Sequence, residues 1–220
     1  MRVFTLPHGI EDSDHRDPAY RSEARVILLT TILFFASGVA ALLYQIAWQR
    51  ALFAWYGVDL DAISIIVSVF MLGLGTGAMI GGWLADRFHR KRILIFSLIE
   101  MTMGSFGLYS LDIIDRIGAT FVATSLPRLI VLSFLVFVLP TCAMGATLPV
   151  LVTELVDRTH NVGFSTGMLY FINTLGAATG AFVAGFILLP LYGLDSLVTI
   201  GATLNFLISA AGCIVAQRSA

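Results

Sequence analysis

One carboxyl group lies deep inside an apolar run, and it is the first candidate for chemistry. Glu100 stands eight residues beyond Arg92, with Ser97, Gly104 and Gly107 near its face. Along a helix that is about 12 Å. An ionised carboxylate at such a depth in a membrane is costly, so residues of this kind face an interior and mark a pathway, a proton relay or a counter-charge. The alternative is a protonated glutamic acid bonded to a neighbouring helix for structure. A second set lies earlier in the chain. Ser37, Ala41, Tyr44 and Trp48 are spaced i, i+4, i+7 and i+11, which places them on one helical face, with Gln45 adjoining. That stripe points hydrogen-bonding groups inward; an aromatic belt at the outer interface is the other reading, and it suits Trp48 better than Tyr44. Asn173, close to Tyr170, is a further cavity candidate, whereas Asn205 reads as glue between helices. The candidate solute-binding residues are therefore Tyr44, Gln45, Trp48, Glu100 and Asn173.

Other chemistries find no footing. His8, His15, His89 and His160 are scattered without ligand spacing, so no metal is expected. Cys142 and Cys213 sit inside apolar runs and read as small packing residues. The stretch "GLGTG" at 73–77 lies within a long apolar run with no strand before it, which excludes a nucleotide loop. No nucleophile is spaced with a base. The net charge of −1 gives no basic surface for nucleic acid. Neither an enzyme nor a cofactor is expected.

The elements that must position the candidates are membrane helices. Of 220 residues, 58% are hydrophobic and 12% charged, about half the charged share of a soluble domain; the mean hydropathy is +0.90. Six continuous apolar stretches, about 26–49, 60–84, 92–111, 128–156, 163–190 and 196–216, are each long enough to span a bilayer. A barrel would instead alternate in polarity. The expectation is an all-α, polytopic domain over 26–217, preceded by a polar tail at 1–25. The acids in "EDSDHRDPAYRSEAR" argue against a cleaved leader.

Charge sets the orientation. With the amino terminus inside, the inner segments carry Arg2, Arg16, Arg21, Arg25, Arg87, Arg90, Lys91, Arg92, Arg158 and Arg218. The outer ones carry Arg50, Arg116 and Arg128, three against ten. Excess cations mark the cytoplasmic side, so both termini are expected in the cytoplasm of a bacterial inner-membrane protein. Asp59 and Asp61 lie beside Arg50 at the outer mouth. Small residues recur where helices would touch: Gly73, Gly77 and Gly81 in the second stretch, Gly176 and Gly180 in the fifth. These are the middle members of two three-helix groups, which suggests a 3+3 repeat. Pro140 and Pro149 are expected to kink the fourth stretch.

The run Gly82-x-Leu84-Ala85-Asp86-Arg87-x-x-Arg90-Lys91 resembles the loop between the second and third helices of the major facilitator superfamily, departing from it at His89, where that motif has glycine. The resemblance implies a six-helix half of a facilitator, with Asp86, Arg87 and Arg90 forming an inner gate loop. It also implies that the second and fifth helices lie where two halves meet, so that their glycines could serve an intermolecular face. "SGVAALLYQIAWQR" (37–50), "FMLGLGTGAMIGGWLADR" (70–87), "LPTCAMGATLPVL" (139–151) and "GMLYFINTLGAATGAFVAGFILLP" (167–190) together resemble the membrane domain of bacterial spermidine-synthase-like proteins. No soluble synthase domain is present in the sequence, so that resemblance implies no activity here. Two readings follow. In the first, the chain binds or transports a small solute, cationic if Glu100 is its counter-charge, as a homodimer or in a hetero-complex. In the second it is a non-catalytic scaffold, an accessory subunit of a larger membrane complex, or the membrane partner of a separate aminopropyltransferase-like enzyme.

Overall fold

The structure, a computed structural model, describes residues 18–56, 60–121 and 126–219. Most of the polar tail expected at 1–25 lies outside the described residues, and so does Asp59. The chain is helical throughout its described length. It forms α1 (Pro18–Tyr56), α2 (Leu60–Arg87), a single 3-10 turn (His89–Lys91), α3 (Arg92–Phe121), α4 (Leu126–Thr159) and α5 (Val162–Val183). A π-helical turn (Ala184–Leu188) then leads into α6 (Leu189–Tyr192), and α7 (Leu194–Ser219) closes the fold. Among the described residues, six helical segments are long and apolar enough to cross a membrane, each overlapping one of the stretches expected from the sequence. The helices outrun those stretches because polar ends continue the helix beyond the apolar section; α1 alone has 39 residues.

Two local features follow directly from residue type. Pro190 has no N–H to give the Phe186 carbonyl, and its ring would press on that carbonyl. The helix widens just before it, and Leu189 N–H bonds back to Ala184 O, a π-type step. Gly193 then adopts φ 76°, a left-handed conformation that glycine takes without penalty, and ends α6. Pro140 and Pro149 lie inside α4, which runs unbroken through both.

The packing has a hidden symmetry. The largest helix contacts are α2 with α4, α3 with α7, α1 with α5, α1 with α7 and α3 with α4. Exchanging the first three spans with the last three carries α1–α5 onto α4–α2 and α1–α7 onto α4–α3, and leaves α3–α7 unchanged. Successive spans run antiparallel, so the two triplets are inverted relative to each other, a 3+3 repeat.

Glycine makes the two equivalent seams possible. A Cβ on Gly73, Gly77 or Gly81 would overlap Thr141, Cys142 or Ala146 of α4, mostly at backbone atoms. A Cβ on Gly176 or Gly180 would overlap the Phe35 or Val39 carbonyl of α1. Without a hydrophobic driving force between helices in lipid, such close backbone approach is what holds them. All five glycines thus pack within one chain rather than on an intermolecular face. Large apolar side chains instead line the uncovered sides of α2 (Met71, Met79, Trp83) and α5 (Phe171, Phe182, Phe186).

Candidate solute cavity

Five helices each send at least one polar side chain to the same place. Ser37 and Gln45 of α1, Glu100 of α3, Thr147 of α4, Asn173 of α5 and Asn205 of α7 line one cavity of about 170 Å³. Tyr44, Phe70, Met103 and Met144 complete the wall with aromatic and sulfur surface. Four of the residues picked out in the sequence, Tyr44, Gln45, Glu100 and Asn173, therefore share a site. Asn205, read as glue, belongs there as well.

Glu100 is 2% exposed, and Ser37 Oγ donates a 2.6 Å hydrogen bond to its Oε1. Ser97, one turn away, bonds instead to the Ile93 carbonyl. Asn173 Nδ2 donates to the Phe34 carbonyl at 3.3 Å, tying α5 to α1 beside Gly38. The Tyr44 ring is seated by glycine: a Cβ on Gly107 of α3 would overlap it, and one on Gly201 of α7 would press on it from another helix. Tyr44 Oη, Trp48 Nε1 and Asn205 Oδ1 are buried polar atoms with no hydrogen-bond partner among the described residues. Buried polar groups are almost always paired, so an orphaned hydroxyl and an orphaned amide oxygen beside a cavity mark where a guest or water must bond.

Trp48 lies behind this wall rather than on it. It is fully buried, stacked on Tyr44 with ring centroids 5.2 Å apart and enclosed by Phe70, Phe106 and Phe137. Neither a belt at the interface nor direct lining describes it; it backs the tyrosine.

Residues 26–218 match the family model described as Major Facilitator Superfamily. The chain belongs to the major facilitator superfamily. Among curated relatives, it is 32% identical over 199 residues to the 4-hydroxybenzoate transporter PcaK of Pseudomonas putida, covering 89% of this chain and 40% of the relative. It is also 32% identical over 164 residues to the 3-(3-hydroxy-phenyl)propionate transporter of Escherichia coli K12, covering 73% of this chain and 37% of that protein. The chain thus spans about two fifths of the length of the curated relatives it matches. No solved structure matches it.

Around the start of α3 this facilitator chain places its basic cluster, and one cation there behaves unlike the rest. Arg92 is buried; its Nε donates to the Ala85 carbonyl at 3.0 Å and its Nη1 to the Thr153 carbonyl at 3.2 Å, and it pairs with Asp157. The Ala85 carbonyl belongs to the last turn of α2, where no backbone donor follows in the helix. Arg92 therefore caps α2 and ties it to α4. Asp86, Arg87 and Arg90, the residues expected to form the gate loop, are exposed. Asp86 makes no ion pair among the described residues, and the Arg87 guanidinium stands 5.8 Å from the Phe88 ring. The anchoring residue of this loop is Arg92, which its sequence neighbours disguised.

Arg92→Leu should lower stability by about 1–3 kcal/mol, the worth of charge-assisted bonds to groups that partly regain water. Arg87→Leu or Arg90→Leu should stay within ~0.5 kcal/mol of the parent, as for exposed sites. Thermal unfolding in detergent measures the contrast; equal effects from all three would contradict the buried anchor.

Proposed function

We propose that the chain is one six-helix half of a transport unit, and that it binds a small solute carrying one aromatic ring in the cavity around Tyr44 and Glu100. The observation that carries this reading is the meeting of polar groups from five helices at one cavity with Tyr44 Oη and Asn205 Oδ1 unpaired. The size suits it, since a cavity of about 150 Å³ accommodates benzene. Aromatic and methionine surface would hold a ring, and amides and hydroxyls would fix its substituents. The names of the curated relatives, transporters of 4-hydroxybenzoate and of a hydroxyphenylpropionate, support an aromatic acid. Such an acid reaching a buried carboxyl meets repulsion unless Glu100 carries a proton, so the reading includes proton coupling at Glu100.

A cationic solute is the second reading, and one observation favours it: no basic side chain lines the cavity. The polyamine suggested by the spermidine-synthase-like resemblance is its natural probe. Thermal shift of the purified chain separates the two, because a ligand that binds the native state stabilises it. Stabilisation by 4-hydroxybenzoate and not by spermidine is expected. The reverse establishes the cationic reading, and stabilisation by neither moves the scaffold reading ahead.

The open faces of α2 and α5 lie where the superfamily's two halves meet, and there the chain would take a partner in the membrane, either a second copy related by a two-fold axis or another six-helix protein. As an accessory subunit, the chain would offer the same faces to a larger complex. The cation asymmetry supports an orientation with residues 85–92 and both termini in the cytoplasm. In intact spheroplasts, an external thiol reagent should label a cysteine at Thr120, exposed near the far end of α3, and spare one at Phe88. The opposite pattern would invert the orientation.

A further inference from the structure

We propose that Arg50, with Gln49, forms a docking site for the carboxylate of an organic acid, in the groove between α1 and the π-helical turn of α5. The inference rests on the reading of the chain as a binder of a small aromatic acid, and it supplies what that reading lacks. The cavity itself offers an acid a ring-sized space and hydrogen bonds but no positive charge.

The groove is an open concavity of about 660 Å³, walled by Ile46, Phe53 and Ala54 with Gly185 opposite, and Gln49 and Arg50 are its polar members. Gln49 lies one helical turn beyond Gln45 of the cavity, about 6 Å along α1. The two concavities are therefore successive sections of the same helix, with the charge at the outer one. A Cβ added at Gly185 meets nothing within 4 Å, so the widened turn before Pro190 leaves this side of the groove clear. Single π-type turns of this kind occur often at functional sites.

The other cations whose side chains are described are committed or placed elsewhere, with Arg25 exposed near the start of α1. Arg92 pairs with Asp157, and Arg158 with Glu154. Arg87, Arg90 and Lys91 are exposed at the end of α2 and in the turn after it, and Arg116 is exposed near the end of α3. Arg50 makes no ion pair or hydrogen bond among the described residues, and its side chain is exposed. It stands six residues before the end of α1, about 9 Å from it. Just past the apolar stretch 26–49, its guanidinium reaches interface water and is open to a counter-ion. The planar fork of arginine matches a carboxylate bidentately, while Phe53 and Ile46 accept the ring beside it. An acid would dock here by its charge before its ring passes one turn further into the cavity.

The test is equilibrium binding by the full chain in nanodiscs of phosphatidylethanolamine with phosphatidylglycerol, using 4-hydroxybenzoate and its uncharged counterpart 4-hydroxybenzamide. Arg50→Gln should weaken the acid roughly ten- to a hundredfold, the range for a lost charge-assisted bond, and leave the amide within about twofold. Arg50→Lys should recover part of the loss. Gly185→Leu, which narrows the groove without touching the charge, should weaken the acid as well. An equal change for both probes, or no change for either, overturns the assignment while leaving the cavity reading standing. It is also overturned if Arg50→Gln releases bound phosphatidylglycerol and leaves the acid unaffected, because the arginine then serves a lipid phosphate. Failure of the unaltered chain to bind either probe removes the aromatic-solute reading and this inference together.

Discussion

Gly77→Leu should strip away a large part of the stability of the chain's helical unit, whereas Gly75→Leu, two residues earlier, should leave that unit intact. At position 77 any side chain runs into the Cys142 carbonyl and Cα of α4, and backbone cannot swing aside as a side chain can. The two helices must part. With them go the neighbouring contacts of Gly73 with Thr141, Gly145 with Leu74 and Gly81 with Ala146. Overpacking typically costs 1–3 kcal/mol; a bulky side chain driven between backbones along a whole seam belongs at or above the top of that range, about 3 kcal/mol. A domain holds only about 5–15 kcal/mol in total. At position 75 a side chain meets nothing within 4 Å. Detergent gel filtration with thermal unfolding distinguishes them: a markedly lowered transition with aggregation for Gly77→Leu, an unchanged transition for Gly75→Leu. Should Gly75→Leu also convert an oligomer to monomer, the open face of α2 is the association surface. A Gly77→Leu chain as stable as its parent would contradict the α2–α4 seam.

Glu100→Gln should separate binding from coupling. Glutamine keeps an oxygen to accept the Ser37 hydroxyl proton and nearly the same volume, so the fold should stay within ~1 kcal/mol of the parent. It also imitates the protonated acid permanently. If an aromatic acid binds when Glu100 carries a proton, the variant should retain 4-hydroxybenzoate binding and lose its pH dependence. Uptake into proteoliposomes should then no longer exceed equilibration with the outside concentration when a proton gradient is imposed. A cation-binding site behaves oppositely, because removing the counter-charge removes binding itself. Unaltered binding, pH dependence and accumulation would show that Glu100 is structural, a hydrogen-bonded strut between α3 and α1.

The six spans and much of the cavity were legible in the sequence for one shared reason. A polar group within an apolar run carries a cost that demands a partner or a pathway, so Tyr44, Gln45, Glu100 and Asn173 announced themselves by type and depth. What stayed hidden depends on which helix lies opposite. The four-residue spacing singled out Gly73, Gly77 and Gly81 and left Gly75 aside, but it did not say that the helix they meet is α4 of the same chain. Arg92 was one cation among four until α4 brought Asp157 to it across 65 residues. Trp48 has the amphipathic character of a belt residue, and only the convergence of Phe70, Phe106 and Phe137 makes it core. Asn205 was set aside as glue because its span gave no hint that its amide oxygen would be left unpaired. The widened turn in α5 did have a signal, Pro190 four residues beyond Phe186, but the seam with α1 that surrounds it did not.

The central claim is that the space between Tyr44, Glu100 and Asn205 holds a one-ring solute. Its most direct measurement is the anomalous scattering of bromine in crystals of the chain grown with 3-bromo-4-hydroxybenzoate. The account predicts a bromine peak inside the cavity, beside the Tyr44 ring and within the Met103 and Met144 wall. A peak confined to the open faces of α2 and α5, or an empty cavity at ligand concentrations that shift the unfolding temperature, would contradict it.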